Sequence, residues 1–254
     1  MPDLDNMGVL VTRPYPEGER LCEKIRQLGG STVYLPVIEF APSSKEVVSL
    51  NNTDAYDWVI FISPRAVEYG LPKLGTLAKT TRIAAVGQST AALLQVAGVQ
   101  DVIYPKTHWT SEGLLALPVF SRMEQQTVLR VSGEGGRDTL ARTLAARGAI
   151  VEQLPVYRRV VPVYNDIHQT VEKIRQKKID ITVCTSFESL HNLMAIVGPE
   201  NQAMLTDMTL IVVSQRLVDL AKTVGFQTIF LADNASDEAI IQTLYSIKGK
   251  GHVR

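Results

Sequence analysis

Residues 57–63 read D-W-V-I-F-I-S and residues 180–186 read D-I-T-V-C-T-S. Each is an aspartate, a short run rich in β-branched or aromatic residues, and a serine. An apolar run that does not alternate with polar residues is buried on both faces, as in a parallel sheet covered by helices. Working outward, the surroundings recur too. V-L-V-T-R-P at 9–14, with Leu21, Gly29 and L-P-V at 35–37, is answered by Val128, Leu140, Gly148 and L-P-V at 154–156. I-A-A-V-G-Q at 83–88, with Leu93 and Gly98, is answered by L-I-V-V-S-Q at 210–215, Leu220 and Gly225. The order is kept, so the chain reads as an internal duplication in which each half supplies three strand-plus-helix units.

The class this predicts is α/β: two similar lobes, each a parallel sheet flanked by helices. Strands are predicted at 8–12, 32–35, 58–62, 83–86, 102–104, 128–131, 150–154, 181–185, 210–213 and 228–231. Between the first two, residues 17–28 place Leu21, Cys22, Ile25 and Leu28 on one stripe, with acidic residues in the first turn and Gly29 as the stop. Both L-P-V segments read as stiff extended crossings, because proline is barred from helix interiors and kept off central strands. Two crossings suit a chain that leaves one lobe near residue 37 and returns near 157, with a cleft between. The last seven residues, from Lys248, lack apolar periodicity and read as a frayed tail.

Composition narrows the function. Of 254 residues, 45% are hydrophobic and 20% charged, and 26 Lys+Arg balance 26 Asp+Glu. That balance removes the global field of a nucleic-acid or anionic-membrane binder, so any anion site is local. Cys22 and Cys184, each in an apolar run, read as buried thiols. No signal sequence or membrane span is read, and a cytoplasmic location is expected. His108, His168, His191 and His252 have no partner at ligand spacing, so no metal is expected.

Ligands of parallel α/β sheets bind beyond the carboxyl ends of the strands, where helix N-termini offer free N–H groups. The strand-to-helix turns here read T-R-P-Y-P-E-G (12–18), S-P-R-A (63–66), G-Q-S-T (87–90), S-G-E-G-G-R (132–137), T-S-F-E-S (185–189) and S-Q-R (214–216). Every turn carries Ser, Thr or Gly and four carry Arg, which suits carboxylate or phosphate binding. For any one turn, plain helix capping explains the same residues; the six together read as a distributed anion-binding cleft. Gly133-x-Gly135-Gly136 fails as a dinucleotide fingerprint at Asp138, and no P-loop or G-x-S-x-G elbow occurs. Ser63 or Ser186 as a nucleophile would lack a base. Asp233 and Asp237 fit a turn and an N-capped last helix. Tyr157 stands in the second crossing, before Arg158 and Arg159, where it can present a hydroxyl as acid or donor or else pack the hinge; of the two arginines at most one points inward.

The residues resemble the uroporphyrinogen-III synthase family, in its proteobacterial form, over nearly the whole chain. The carriers are V-T-R-P-Y-P-E-G-E-R-L at the start, L-P-V-I-E-F, I-Y-P with S-E-G-L-L, L-R-V-S-G-E-G-G-R-D-T-L with A-A-R-G-A, V-Y-R-R, V-C-T-S, V-V-S-Q-R-L-V-D-L-A and A-D-N-A-S-D-E-A-I. The resemblance implies two α/β lobes on a two-stranded connector, residues 1–38 plus 158–254 and residues 39–157. It implies a lyase that closes hydroxymethylbilane, a linear tetrapyrrole with eight carboxylates, into uroporphyrinogen III. Water is lost and ring D is inverted through a spiro intermediate, with no cofactor or metal. By motif, Tyr157 matches the tyrosine that assists departure of the hydroxyl. Thr12, Arg13, Ser63, Gly87, Thr90, Gly133, Arg137, Ser186 and Ser214 match cleft-lining turns. Where many members place Gly and two threonines, this chain has Ser214, Gln215, Arg216 and Leu217, so the threonine contacts do not carry over; Arg216 either replaces them or faces solvent. A monomer acting on a small molecule is implied, with no nucleic-acid or membrane partner, and transient contact with the preceding enzyme of the pathway is left open. The rival readings are a non-catalytic two-lobed binding module for a small polyanion and a sugar-nucleotide transferase, the latter disfavoured by the missing phosphate fingerprint.

Overall fold

The computed structural model describes residues 3–5, 7–45, 50, 52–136, 138–176 and 179–249. Its strands are β1 (Gly8–Val11), β2 (Ser31–Tyr34), β3 (Glu39–Pro42), β4 (Trp58–Phe61), β5 (Arg82–Ala85), β6 (Thr127–Gly133), β7 (Ile150–Val160), β8 (Ile181–Val183), β9 (Thr209–Val212) and β10 (Thr228–Leu231). Its helices are α1 (Glu17–Gln27), α2 (Pro64–Gly70), α3 (Gln88–Val96), α4 (Ser111–Leu115), α5 (Thr139–Ala146), α6 (Ile167–Gln176), α7 (Phe187–Val197), α8 (Gln202–Thr206), α9 (Gln215–Val224) and α10 (Asp237–Gly249). The chain divides into two compact units, Met1–Glu39 with Val160–Arg254, and Phe40–Arg159.

The first unit holds a sheet ordered β10-β9-β8-β1-β2 and the second a sheet ordered β3-β7-β6-β4-β5. The pairings β1–β2, β1–β8, β8–β9 and β9–β10, and likewise β4–β5, β4–β6 and β6–β7, are all parallel. Strands β1, β4 and β9 are buried at every residue, because helices cover both faces. One core of the second unit gathers Val59, Phe61, Leu129, Val131 and Tyr157, and another, on the opposite sheet face, gathers Trp58, Ile60, Val128, Leu140 and Leu144. Helix α1 forms as its pattern predicts: Leu21, Cys22 and Ile25 are buried, Glu17 and Glu19 sit in the first turn, and Gly29 follows at φ +88°. Acidic residues there complement the positive end of the helix, and glycine takes the left-handed turn without steric cost.

Placed on the sheets, the repeat is exchanged. The first copy supplies β1, β2, β4 and β5 and the second β6, β7, β8 and β9. One sheet runs β9-β8-β1-β2 and the other β5-β4-β6-β7, so each is assembled from both copies. The match extends to single rungs, since Ala84 pairs with Ile103 as Ile211 pairs with Phe230.

Three expectations need correction. Residues 102–104 form one bridge at Ile103 rather than a strand, because Pro105 removes the next donor of the ladder. Pro155 lies inside β7, with β6 on one side and β3 on the other. The sheet admits it at a bulge: Ser132 pairs with Pro155 and Gly133 with Tyr157, one residue being skipped. That bulge lets β7 continue to Val160, past the predicted end at 154. Lys248 and Gly249 belong to α10, and Lys248 pairs with Asp3, so the tail begins later than the periodicity implied; residues 250–254 lie outside the described residues.

Candidate functional site

The predicted site residues gather at the carboxyl ends of the parallel strands of each unit. In the second unit, Ser63 follows β4 and is the N-cap of α2, accepting a hydrogen bond from Ala66 N at 3.1 Å. Gly87 follows β5 and is the N-cap of α3, which has no side-chain cap. A pocket of about 490 Å³ opens between these two turns, lined by Ser63, Gly87, Gln88, Ser89, Thr90 and Trp109 among others. Thr90 is 2% exposed.

Tyr157 joins this group. Its ring is buried against Phe40, edge-on at 5.6 Å, and Tyr69 at 6.0 Å. Its hydroxyl shares a 3.1 Å hydrogen bond with Ser63 Oγ. The β7 bulge turns the tyrosine over the end of β6, where Gly133 makes room: a Cβ there would lie 2.6 Å from two ring carbons. Tyr157 is thus a packed ring whose hydroxyl reaches the Ser63 cap of α2.

The first unit repeats the arrangement with the equivalent residues. Ser186 caps α7 in a reciprocal pair with Ser189, and Ser214 caps α9 through Leu217 N. A pocket of about 290 Å³ lies between them, lined by Thr185, Ser186, Phe187, Ser214, Arg216, Leu217 and Leu220. Phe187 is exposed and stacked on His191. Thr12 and Arg13, at the end of β1, are engaged inward. Thr12 Oγ1 donates to Val183 O at 2.6 Å, and Arg13 Nη1 donates to Asp237 Oδ1 at 2.8 Å. Arg13 thus serves the fold at the N-terminus of α10, and Asp237, read as capping alone, is the anchor of that helix. Arg137 lies outside the described residues.

Sequence reasoning missed Arg130. It is 3% exposed on β6 and donates to Gln153 Oε1 at 3.0 Å, with Asp138 at 4.0 Å. Burial lowers its pKa from the ordinary value, against the pull of Asp138 and Tyr157. The signal was present, since a charge inside V-L-R-V-S breaks an otherwise apolar strand. Glu134, on the adjoining loop, accepts from Ser43 Oγ at 2.6 Å and Ser44 N. Those donors, that of Ser43 first, hold its carboxyl at about 2. Among the described residues no group of three His, Cys, Asp or Glu could hold a metal ion, and no helix is long and apolar enough to cross a membrane.

Comparison with known proteins follows the same lines. The family model described as uroporphyrinogen-III synthase HemD matches residues 19–242. The chain is 32% identical to uroporphyrinogen-III synthase of Escherichia coli (strain K12), over 94% of this chain and all of that protein. It is 33% identical to the Salmonella typhimurium protein of the same name, again over 94% of this chain and all of that one. Among solved structures it resembles uroporphyrinogen-III synthetase from Helicobacter pylori 26695, with a TM-score of 0.62 and 18% identity over 95% of this chain and 99% of that one. A mutant uroporphyrinogen III synthase from the extremely thermophilic bacterium Thermus thermophilus gives a TM-score of 0.54 at 15% identity over 96% and 99%. At such identities the solved structures speak to the fold.

Proposed function

The chain belongs to the uroporphyrinogen-III synthase family, and from that premise we propose that it closes hydroxymethylbilane to uroporphyrinogen III with loss of water and inversion of ring D. The observation that supports this chemistry is the pairing of Tyr157 with Ser63, the N-cap of α2. The bilane needs little covalent help. Its hydroxyl leaves as water once the oxygen takes a proton, and the azafulvene that remains, still carrying the methylene carbon, is a strong electrophile. Ser63, already accepting from Ala66 N, has its own proton to give to the phenol oxygen; the Tyr157 proton is then directed at the departing hydroxyl, and the serine stabilises the charge left behind.

Selectivity is the harder task, because the same electrophile closes unaided to the symmetric isomer. Ring D has to attack through its substituted carbon and pass through the spiro intermediate, which is a matter of holding the acetate and propionate arms in one geometry. Within each unit the capped helix ends, with the α3 amides in the second and Arg216 in the first, suit such carboxylates. The proposal includes a monomeric, cytoplasmic lyase using neither metal nor cofactor.

The test is to supply freshly made hydroxymethylbilane, oxidise the products and resolve uroporphyrin I from III. Isomer III in excess is the expected result. Isomer I alone, at the uncatalysed rate, would remove the proposal and leave the polyanion-binding module.

A further inference from the structure

We propose that Trp109 is a substrate-positioning residue, its indole forming a plate in the second unit on which one pyrrole ring of the bilane lies. The inference rests on the functional reading above and adds a residue to it. Trp109 is 56% exposed, a large apolar surface of the kind that marks a binding site when it borders a cavity. It lines the 490 Å³ pocket together with Ser63, Gly87 and Thr90.

The tryptophan is held there by a built turn. His108 adopts φ +53°, its carbonyl accepts from Thr110 N at 2.7 Å, and Thr110 caps α4 through Gly113 N at 3.1 Å. A side chain at Gly113 would collide with the His108 carbonyl. On the other side, a Cβ at Gly87 would lie 3.3 Å from Trp109 Cβ, so the glycine lets the turn close over the start of α3. The pocket is at the small end of the usual range of roughly 300–1,000 Å³ for ligand sites, room for one ring and its arms rather than a whole tetrapyrrole. A ring lying on the indole would place its carboxylate arm toward two groups. One is the uncapped amides of α3; the other is the hydroxyl of Thr90, a residue 2% exposed that lines the pocket.

The chain offers its own probe. It has two tryptophans, and Trp58 is fully buried with its indole nitrogen donating to Gln126. Tryptophan emission is followed while uroporphyrinogen III, kept reduced, is titrated into the wild-type protein and Trp109→Phe, and KM and kcat are measured for both and for Trp109→Ala. The emission is expected to respond in the wild type and not in Trp109→Phe. KM in Trp109→Ala should rise about two- to tenfold, the worth of one aromatic pair, with kcat little changed, and Trp109→Phe should restore it. An unmoved wild-type emission at saturating product, or a wild-type KM in Trp109→Ala, overturns the proposal. If isomer III still forms in that case, the functional reading stands. If the wild type makes only isomer I, the reading itself falls, and this proposal with it. Should Trp109→Ala fail to fold, the emission arms and Trp109→Phe decide the matter.

Discussion

Replacing Asp237 by Asn tests how the first unit is held together. The Asp237 side chain is 2% exposed and takes three cations: Arg13 Nη1 at 2.8 Å, Arg20 Nε at 2.7 Å and Lys24 Nζ at 3.0 Å. Burial by itself pushes its carboxyl up, but the hydrogen bonds from Arg20, Lys24 and Arg13 outweigh it and bring the pKa to about 2, against an ordinary 3.8. A folded value below the unfolded one means that the stabilisation is fully present above the unfolded pKa and is lost as pH falls through the folded one. At about 1.4 kcal/mol per tenfold step, the gap is worth about 2.5 kcal/mol at neutral pH. Breaking a buried ion pair from one side costs about 3–5 kcal/mol. Asn keeps one acceptor for Arg13, and the more exposed Arg20 and Lys24 can turn to water, so about 2–3 kcal/mol is the reasonable expectation. For a chain of this size that lowers Tm by about 5–10 °C. Calorimetry at pH 7 and pH 3 is the assay, and the gap between wild type and Asp237→Asn should narrow by roughly 1 kcal/mol at the lower pH. A loss at pH 7 no larger than that of an exposed ion pair, below about 1 kcal/mol, or a gap indifferent to pH, would refute the reasoning.

Tyr157→Phe should keep the melting temperature and lower kcat, by no more than about 100-fold because the hydroxyl also leaves unaided; unchanged turnover would reduce the tyrosine to packing. Gly133→Ala drives a methyl into that ring and should cost about 1–3 kcal/mol, with turnover falling with the displaced hydroxyl; urea unfolding and product assays read both. Arg216→Ala, on an exposed residue, should raise KM at low salt without touching stability, and a KM independent of this change would place the arginine in solvent.

What was legible in the sequence was local or repeated. The runs at 57–63 and 180–186 gave two central strands because their lack of alternation reports burial on both faces, and their terminal serines became the caps of α2 and α7. Asp237 was not legible as an anchor, since its three partners come from the β1-to-α1 segment at the far end of the chain. Trp109 was passed over because nothing in a single residue between turn signals tells an aromatic plate from a loop. Pro155 misled for a physical reason: the rule against proline in a central strand yields where a bulge has already broken the ladder. Arg130 was visible as a charge in an apolar strand, but its neighbours Gln153 and Asp138 emerge only when β6 and β7 pair.

The exchange of repeat copies between the two sheets also fixes an order of events during synthesis. Phe40–Arg159 is one unbroken stretch and can complete its sheet while the ribosome is still working. β1, seated between β8 and β2, has to wait for Ile181–Val183 before its second neighbour exists. At about 5–20 residues per second, the wait is on the order of ten seconds, during which an entirely apolar strand and the start of α1 stand half-matched. Cutting the gene between its two copies would therefore yield two fragments, each lacking the partners for its own strands, and co-expression would be the only way to see either of them fold.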